Sequence, residues 1–449
     1  MDGLSIDLIQ YCIFDKLDFQ TQIRFRQMCK WLHRINIHNM YYHIGYIYLK
    51  RLSDKILIDY PKVKYLNASN NPKITNVNHM TNLQILNVCD ECGINDNGIN
   101  SLNLIKLNAS DNEKIKNINH MTNLRKLNAS WDCGIDDNGI KDLNLIELNV
   151  LRNSKITNIN HMTNLQILNV PFEDSGIDNN GVKNLNLIEL NAYDNPKITN
   201  INHMTNLQIL DASFNCGIDD NGIKNLNLIK LNTSDNRKIT NINHMTKLQI
   251  LNASEDCGID DNGIKGLNVI ELNATSNSKI TNVNHMTKLQ ILNASFNCGI
   301  DNNGINDLNV IELNATSNSK ITNINHMTNL KLLNISGEYC GIDNNGIKNL
   351  NLIKLYTPYN PKITNINHMT NLQILDASGD CGIGDNDIKD LNLIELYASG
   401  NSKITNINHM TNLQILDASY DCGIDDNSIK NLNLIKLRAY GNPKITVKI

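Results

Sequence analysis

The sequence predicts an α/β solenoid: a parallel sheet built one short strand per turn, preceded by a small helical segment. Three observations predict it. The motif Asn-His-Met-Thr returns at His79, His120, His161, His203, His244, His285, His326, His368 and His409, spaced by 41 residues except for two steps of 42. A fixed period of a few tens of residues is the mark of a solenoid or a related array. Within each unit a strand-like pattern occurs twice, once ending on asparagine and once on cysteine. The first forty residues carry no trace of this repeat and hold Phe14, Phe19, Phe25 and Trp31 instead.

The asparagine form reads Leu104-Ile105-Lys106-Leu107-Asn108-Ala109-Ser110-Asp111-Asn112. The cysteine form reads Leu124-Arg125-Lys126-Leu127-Asn128-Ala129-Ser130-Trp131-Asp132-Cys133. Apolar residues at positions 1, 4 and 6 alternate with polar ones at 3, 5 and 7, the period-two signature of a strand with one buried face. One such unit cannot bury its apolar edge, so its neighbours must supply the core. The asparagine at position 9 ends the strand, and its amide is suited to bond backbone groups left open at the turn.

Both halves resemble the leucine-rich repeat pattern L-x-x-L-x-L-x-x-N/C-x-L. The run Lys114-Ile115-Lys116-Asn117-Ile118 after the asparagine form is similar to the short turns of internalin-type repeats. The run Gly134-Ile135-Asp136-Asp137-Asn138-Gly139-Ile140 after the cysteine form resembles the cysteine-containing repeats of F-box proteins. Asp136 or Asp137 there is suited to cap a short helix. Ten asparagine halves (Asn71, Asn112, Asn153, Asn195, Asn236, Asn277, Asn318, Asn360, Asn401 and Asn442) enclose nine cysteine halves, about 19 repeats over residues 63–449. The resemblance implies a curved horseshoe with the parallel sheet on its concave face, on the order of 90 Å long at about 4.8 Å per strand.

Composition narrows function. The chain is 41% hydrophobic and 19% charged, with a formal net charge of −4. That balance suggests neither a nucleic-acid partner nor a membrane surface. No run of 18 apolar residues is present, so no spanning helix is expected. The start, Met1-Asp2-Gly3-Leu4, lacks the basic segment of a signal peptide, so the expected location is the cytoplasm or nucleus and not the secretory route. Sequons such as Asn67, Asn108, Asn128, Asn252 and Asn293 are then expected to stay unmodified.

Cofactor and metal readings fail on spacing. Cys92, Cys133, Cys216, Cys257, Cys298, Cys340, Cys381 and Cys422 form a ladder, with Ser175 in the missing place. Matching positions lie two strands apart, about 10 Å, beyond the ~7 Å Cα separation a disulfide tolerates. The ladder is expected to be reduced and half-buried. The histidines repeat at the same distance, so two of them cannot share a zinc ion. Cys89 and Cys92 have C-x-x-C spacing but no second pair nearby. No nucleophile–base pair, phosphate-binding glycine loop or carboxylate cluster stands out, so the expectation is a non-enzyme without cofactor or metal.

The chain also aligns with itself. Fixed positions are architectural; variable ones are free or selected for something else. Variation concentrates at positions 7 and 8, the strand exit. Trp131, Phe172, Phe214, Phe296 and Tyr420 share position 8 of the cysteine half, and Tyr193, Tyr356, Tyr359, Tyr397 and Tyr440 lie on or just after other strands. Large exposed aromatics usually await a cover and are the usual anchors of protein interfaces. These ten residues are the expected partner-binding face. The other reading is that the rings fold back and fill grooves between turns. An isoleucine stripe at position 3 (Ile85, Ile167, Ile209, Ile250, Ile291, Ile374, Ile415) alternates with Lys106, Glu147, Glu189 and Lys230, which suits a protein better than a phosphate backbone. Pro171–Ser175 and Gly337–Cys340 each carry one extra residue at the same edge, and insertions on one face often mark the binding face.

Residues 1–40 form the remaining domain. Ile6, Leu8, Ile9, Ile13 and Leu17 fit an amphipathic helix over 5–17, and Asp18 opens a second helix to about residue 35. The order Leu4, Asp7, Leu8, Ile13, Leu17, then Met28-Cys29-Lys30-Trp31, resembles an F-box, with Ser5 in place of its proline and Trp31 one position early. The resemblance implies docking on a Skp-type adaptor of cullin–RING ubiquitin ligases through Leu4, Ile6, Leu8, Ile9, Ile13 and Leu17. It also implies the layout of an F-box/leucine-rich repeat protein, a look found in amoebae and in the large DNA viruses that infect them. Residues 41–62 are the expected linker and amino-terminal cap. The alternative is that the helices are only a cap for the first repeat.

Overall fold

From Leu66 to Leu416, each leucine at position 4 lies at the centre of a three-residue strand and is buried, with its two neighbours at least partly exposed. The strand Lys106–Asn108, for example, has Leu107 inside and Lys106 and Asn108 outside. The computed structural model describes residues 39–40 and 52–447. The expected helices, residues 5–17 and 18 to about 35, and the adaptor contacts Leu4, Ile6, Leu8, Ile9, Ile13 and Leu17 lie outside the described residues. The described residues form two compact units, divided between Leu226 and Asn227.

In the first unit, eight strands follow in chain order from Tyr65–Asn67 to Ile209–Asp211. Neighbours pair in parallel and in register: Lys126 faces Glu147, Glu147 faces Ile167, and Ile167 faces Glu189. Asn39–Met40 adds a further parallel strand against Tyr65 and Leu66, at the border of the expected helical segment. The expected cap contributes one short helix, Asp54–Leu57, whose Leu57 is fully buried. The second unit repeats the plan with eleven parallel strands, from Lys230–Asn232 to Lys436–Arg438. Both units are thus parallel β-solenoids with one strand per 20 to 22 residues.

The fixed positions explain the frame. Leu104, Leu107, Ala109, Ile115, Ile118 and Met121 are all fully buried. Buried Asn153 donates from Nδ2 to the carbonyls of Ala129 (2.7 Å) and Ile135 (3.3 Å) and accepts from the Lys155 N–H (2.8 Å). It thereby satisfies backbone groups that would otherwise be orphaned inside. Asp136 is the cap expected after the cysteine half: its carboxylate accepts from Gly139 N–H at the start of the helix Asp137–Ile140. Asp137 instead accepts from the N–H and hydroxyl of Thr157 in the next half-repeat. Gly134 is required because a Cβ there would lie 2.4 Å from the Glu113 carbonyl oxygen.

The ladder residues are structural. The eight ladder cysteines are free, as expected, but fully buried rather than half-buried. Burial pushes the Cys133 thiol up to about 11. Cys89 stands apart: it is half-exposed, and desolvation with the Asp90 carboxylate beside it pushes its thiol up to about 12. His120, His161 and His203 each place Nε2 3.1 Å from a carbonyl oxygen of the preceding half-repeat. A carbonyl only accepts, so the proton sits on Nε2.

Candidate functional site

Position 8 has one backbone requirement throughout. In every half-repeat it lies in the left-handed region, from Asn70 (φ 54°) through Asp111 (φ 56°) to Asp194 (φ 53°) in the first unit. Asparagine, aspartate and glycine tolerate that conformation; for a bulky side chain it costs about 1–2 kcal/mol. Yet Trp131 (φ 60°), Arg152 (φ 57°), Phe172 (φ 72°) and Phe214 (φ 59°) occupy it. The backbone does not select those residues. Strain of this kind is typical of sites that bind something.

The first unit brings these side chains together. The Arg152 guanidinium lies over two rings, 4.4 Å from the Phe172 centroid and 5.1 Å from that of Trp131. Tyr193 meets Phe172 edge-on at 5.2 Å and Phe214 at 4.7 Å. Five successive half-repeats therefore carry one continuous ridge: Trp131, Arg152, Phe172, Tyr193, Phe214. Each ring pair contributes about 0.5–1.5 kcal/mol, and an exposed cation–π contact about 0.5–1 kcal/mol. The ridge is held in shape before any partner arrives and still leaves Trp131 49% and Phe214 40% exposed. Burial and the neighbouring Asp194 and Asp211 push the Tyr193 phenol up, so its O–H remains a donor. The inserted residue at Pro171–Ser175 falls beside Phe172, at the same edge.

Sequence comparison of the halves singled out the four aromatics and missed Arg152, which binds the first two together. The readable signal was its position: Arg152 occupies the same slot in its asparagine half that Trp131 and Phe172 occupy in theirs.

The second unit distributes its aromatics differently. Phe296 is 52% exposed and has no ring partner among the described residues. Tyr359 lies over Gly379, where a Cβ would come within 2.3 Å of its ring. Tyr420 and Tyr440 form an edge-on pair at 5.8 Å. Tyr359 thus leans on a neighbouring turn yet stays 62% exposed. Tyr356 and Tyr397 stand within strands, on the sheet face itself. The isoleucine stripe is real in both units: Ile167 lies between Glu147 and Glu189, and Ile374 between Lys354 and Glu395.

Among the described residues, no three His, Cys, Asp or Glu side chains gather as a metal site. No helix of the described residues is long and apolar enough to cross a membrane.

No protein-family model matches the chain, and no curated protein matches it in sequence. Solved structures do resemble it. One is a crystal structure of a TLR13–ssRNA13 complex, at 17% identity and a TM-score of 0.43, covering 92% of this chain. The chain spans 59% of the length of that structure. A functional domain of InlJ from Listeria monocytogenes, described as including a cysteine ladder, aligns at 19% identity and a TM-score of 0.31 over 84% of this chain and 67% of its own. A leucine-rich repeat protein of Leptospira interrogans aligns at 15% identity and a TM-score of 0.38, over 85% of this chain and 98% of its own.

Proposed function

We propose that this chain is a non-enzymatic protein-binding scaffold whose first unit holds a target protein on the ridge Trp131–Arg152–Phe172–Tyr193–Phe214. The observation that carries this reading is the conflict at position 8. Residues that strain the backbone there are nevertheless clustered, pre-stacked and left open to solvent. Rigid aromatics flanking an arginine are the usual composition of interface anchors. Asp111 and Asp194 share position 8, and Asp132 and Glu173 directly follow Trp131 and Phe172 in the chain, which favours a protein surface over a phosphate backbone.

The finer reading is a substrate receptor of a cullin–RING ubiquitin ligase, working in the cytoplasm or nucleus. Leu4, Ile6, Leu8, Ile9, Ile13 and Leu17 would dock the Skp-type adaptor, while the repeats present the target for ubiquitin transfer. Its support is the F-box-like order of residues in 4–31. The second reading, a plain scaffold whose leading segment only caps the first repeat, is favoured by the strand Asn39–Met40, which extends the sheet beyond the first repeat.

Titration of the full chain with a purified Skp-type adaptor separates the two readings. The receptor predicts saturable binding that Leu8→Asp and Ile13→Asp abolish while the repeats stay folded. No binding at tens of micromolar adaptor leaves the scaffold alone.

A further inference from the structure

We propose that the sheet face of the second unit, along the column Tyr356, Asp376, Tyr397 and Asp417, binds an extended cationic segment of a partner protein. Its arginine or lysine side chains would seat on the two carboxylates, between the tyrosine rings. This goes beyond the ridge of the first unit and stands or falls separately from it.

The column is position 5 of successive strands. Register places Tyr356 beside Asp376, Asp376 beside Tyr397, and Tyr397 beside Asp417. Earlier strands of the same unit carry asparagine there, at Asn232, Asn252, Asn273, Asn293, Asn314 and Asn334. Asparagine has a fold role at this position: the Asn293 Oδ1 accepts from the Ser295 N–H and hydroxyl. Asp376 keeps that role, with Oδ1 accepting from the Ser378 N–H (3.0 Å) and hydroxyl (2.6 Å), and Asp417 accepts from the Ser419 N–H (3.1 Å). What the exchange to aspartate changes is the second atom. An amide donor becomes a negatively charged acceptor on the sheet's open face.

That charge brings the frame no benefit. Burial, with Asp417 adding to it, pushes the Asp376 carboxyl up. No cation lies within ion-pair reach of Asp376 among the described residues. Asp417 has one loose partner, Arg438, at 3.9 Å and half-exposed, an internal example of the ligand type. Two further carboxylates border the column: Glu395, which accepts from the Tyr397 hydroxyl at 2.8 Å, and Glu312, whose charge reaches Tyr356. Lys354 and Lys436 stand in the neighbouring column, to either side of Glu395. Tyr356 gives up the asparagine acceptor where it is not needed, because Pro358 at the bonding position has no N–H.

Carboxylates alternating with tyrosine rings match a guanidinium or ammonium on both counts, through charge-assisted hydrogen bonds and the ring faces. Asp376 and Asp417 are two strands apart, about 10 Å, which a segment in the extended polyproline-II conformation spans in about three residues, one full turn, so that side chains three apart share a face. The matching segment therefore carries cationic side chains three residues apart.

Calorimetric titration of the full chain tests this with two synthetic peptides in a glycine–serine background. One carries two arginines three residues apart, and the other carries glutamates at the same places. Expected are saturable one-to-one binding of the arginine peptide, weakening with salt, and none of the glutamate peptide. The double variant Asp376→Asn/Asp417→Asn keeps the turn acceptor that asparagine supplies elsewhere, and should lose about tenfold or more in affinity. Asp211→Asn in the first unit should change nothing. The proposal is overturned if the arginine peptide does not bind, if the double variant binds as tightly while melting at least as high as the parent, or if both peptides bind alike.

Discussion

The half-repeats from Trp131 to Phe214 and those from Tyr356 to Arg438 share a backbone and differ in what they hang on it. In the first stretch the unusual residues sit at position 8, where the chain is strained, apart from Tyr193 one place before it, and join into a ridge through Arg152 and Tyr193. In the second they sit at position 5, where the chain is relaxed, and alternate tyrosine with carboxylate. A repeat frame with its own fixed ladder leaves both positions free to diverge. Bulky residues at the strained position cost the fold more than those at the relaxed one, which supports the ridge as the proposed site.

Breaking the shared frame should have the largest effect, and the same effect in both stretches. Asn153→Ala and Asn401→Ala each leave buried carbonyls without a donor, and each should cost about 2–4 kcal/mol in urea denaturation. Unequal losses would mean that the two stretches do not share one frame.

The inserted edges come next. Ser175 replaces a ladder cysteine and its buried hydroxyl has no partner, whereas the equivalent Cys340 directs its thiol toward the Ala315 carbonyl at 3.6 Å. Ser175→Cys should stabilise by about 1 kcal/mol and Cys340→Ser should destabilise by a similar amount, both read from melting curves. Destabilisation by Ser175→Cys would show that the insertion has reshaped that site.

Position 8 sharpens the contrast further. Phe296 carries the strain without a ring contact, so Phe296→Gly should stabilise by about 0.5–1 kcal/mol. Phe172 gains from Arg152 and Tyr193, so Phe172→Gly should be near neutral or destabilising. Equal gains at both would mean that the ridge contacts contribute nothing.

The smallest effect is on pH dependence. The folded-state pKa of Asp376 is raised, so the folded chain holds this proton more tightly than the unfolded one. Its contribution to stability therefore falls as pH rises from the ordinary aspartate value of 3.8 through the raised one. Asp376→Asn should stabilise slightly at neutral pH and be indistinguishable from the parent below that window. A variant less stable at neutral pH would contradict the sign.

Much of the frame could be read from the residues. The spacing of Leu104, Leu107 and Asn112 gave strand, core and turn, and Asp136 was one of two candidates for the helix cap. The expected ring face was less complete, because periodicity cannot report φ. The left-handed backbone at position 8 was signalled only by the recurrence of Asn70, Asp90, Asp111 and Gly379 there. Arg152 was invisible to a search for aromatics. Asp376 and Asp417 were hidden because aspartate and asparagine look equivalent in a repeat rich in both. Only the hydrogen bonds reveal which oxygen serves the turn and which is left over.

Photo-crosslinking from the ridge tests the central claim most directly. The full chain would carry Phe214→p-benzoylphenylalanine, beside a second version with the same group at Asn138 on the outer side, each expressed in a eukaryotic cell. The account predicts a discrete crosslinked protein from position 214 that is lost when Trp131→Ala and Phe172→Ala are added, and no such product from position 138. No product from position 214, or the same products from both, would contradict it.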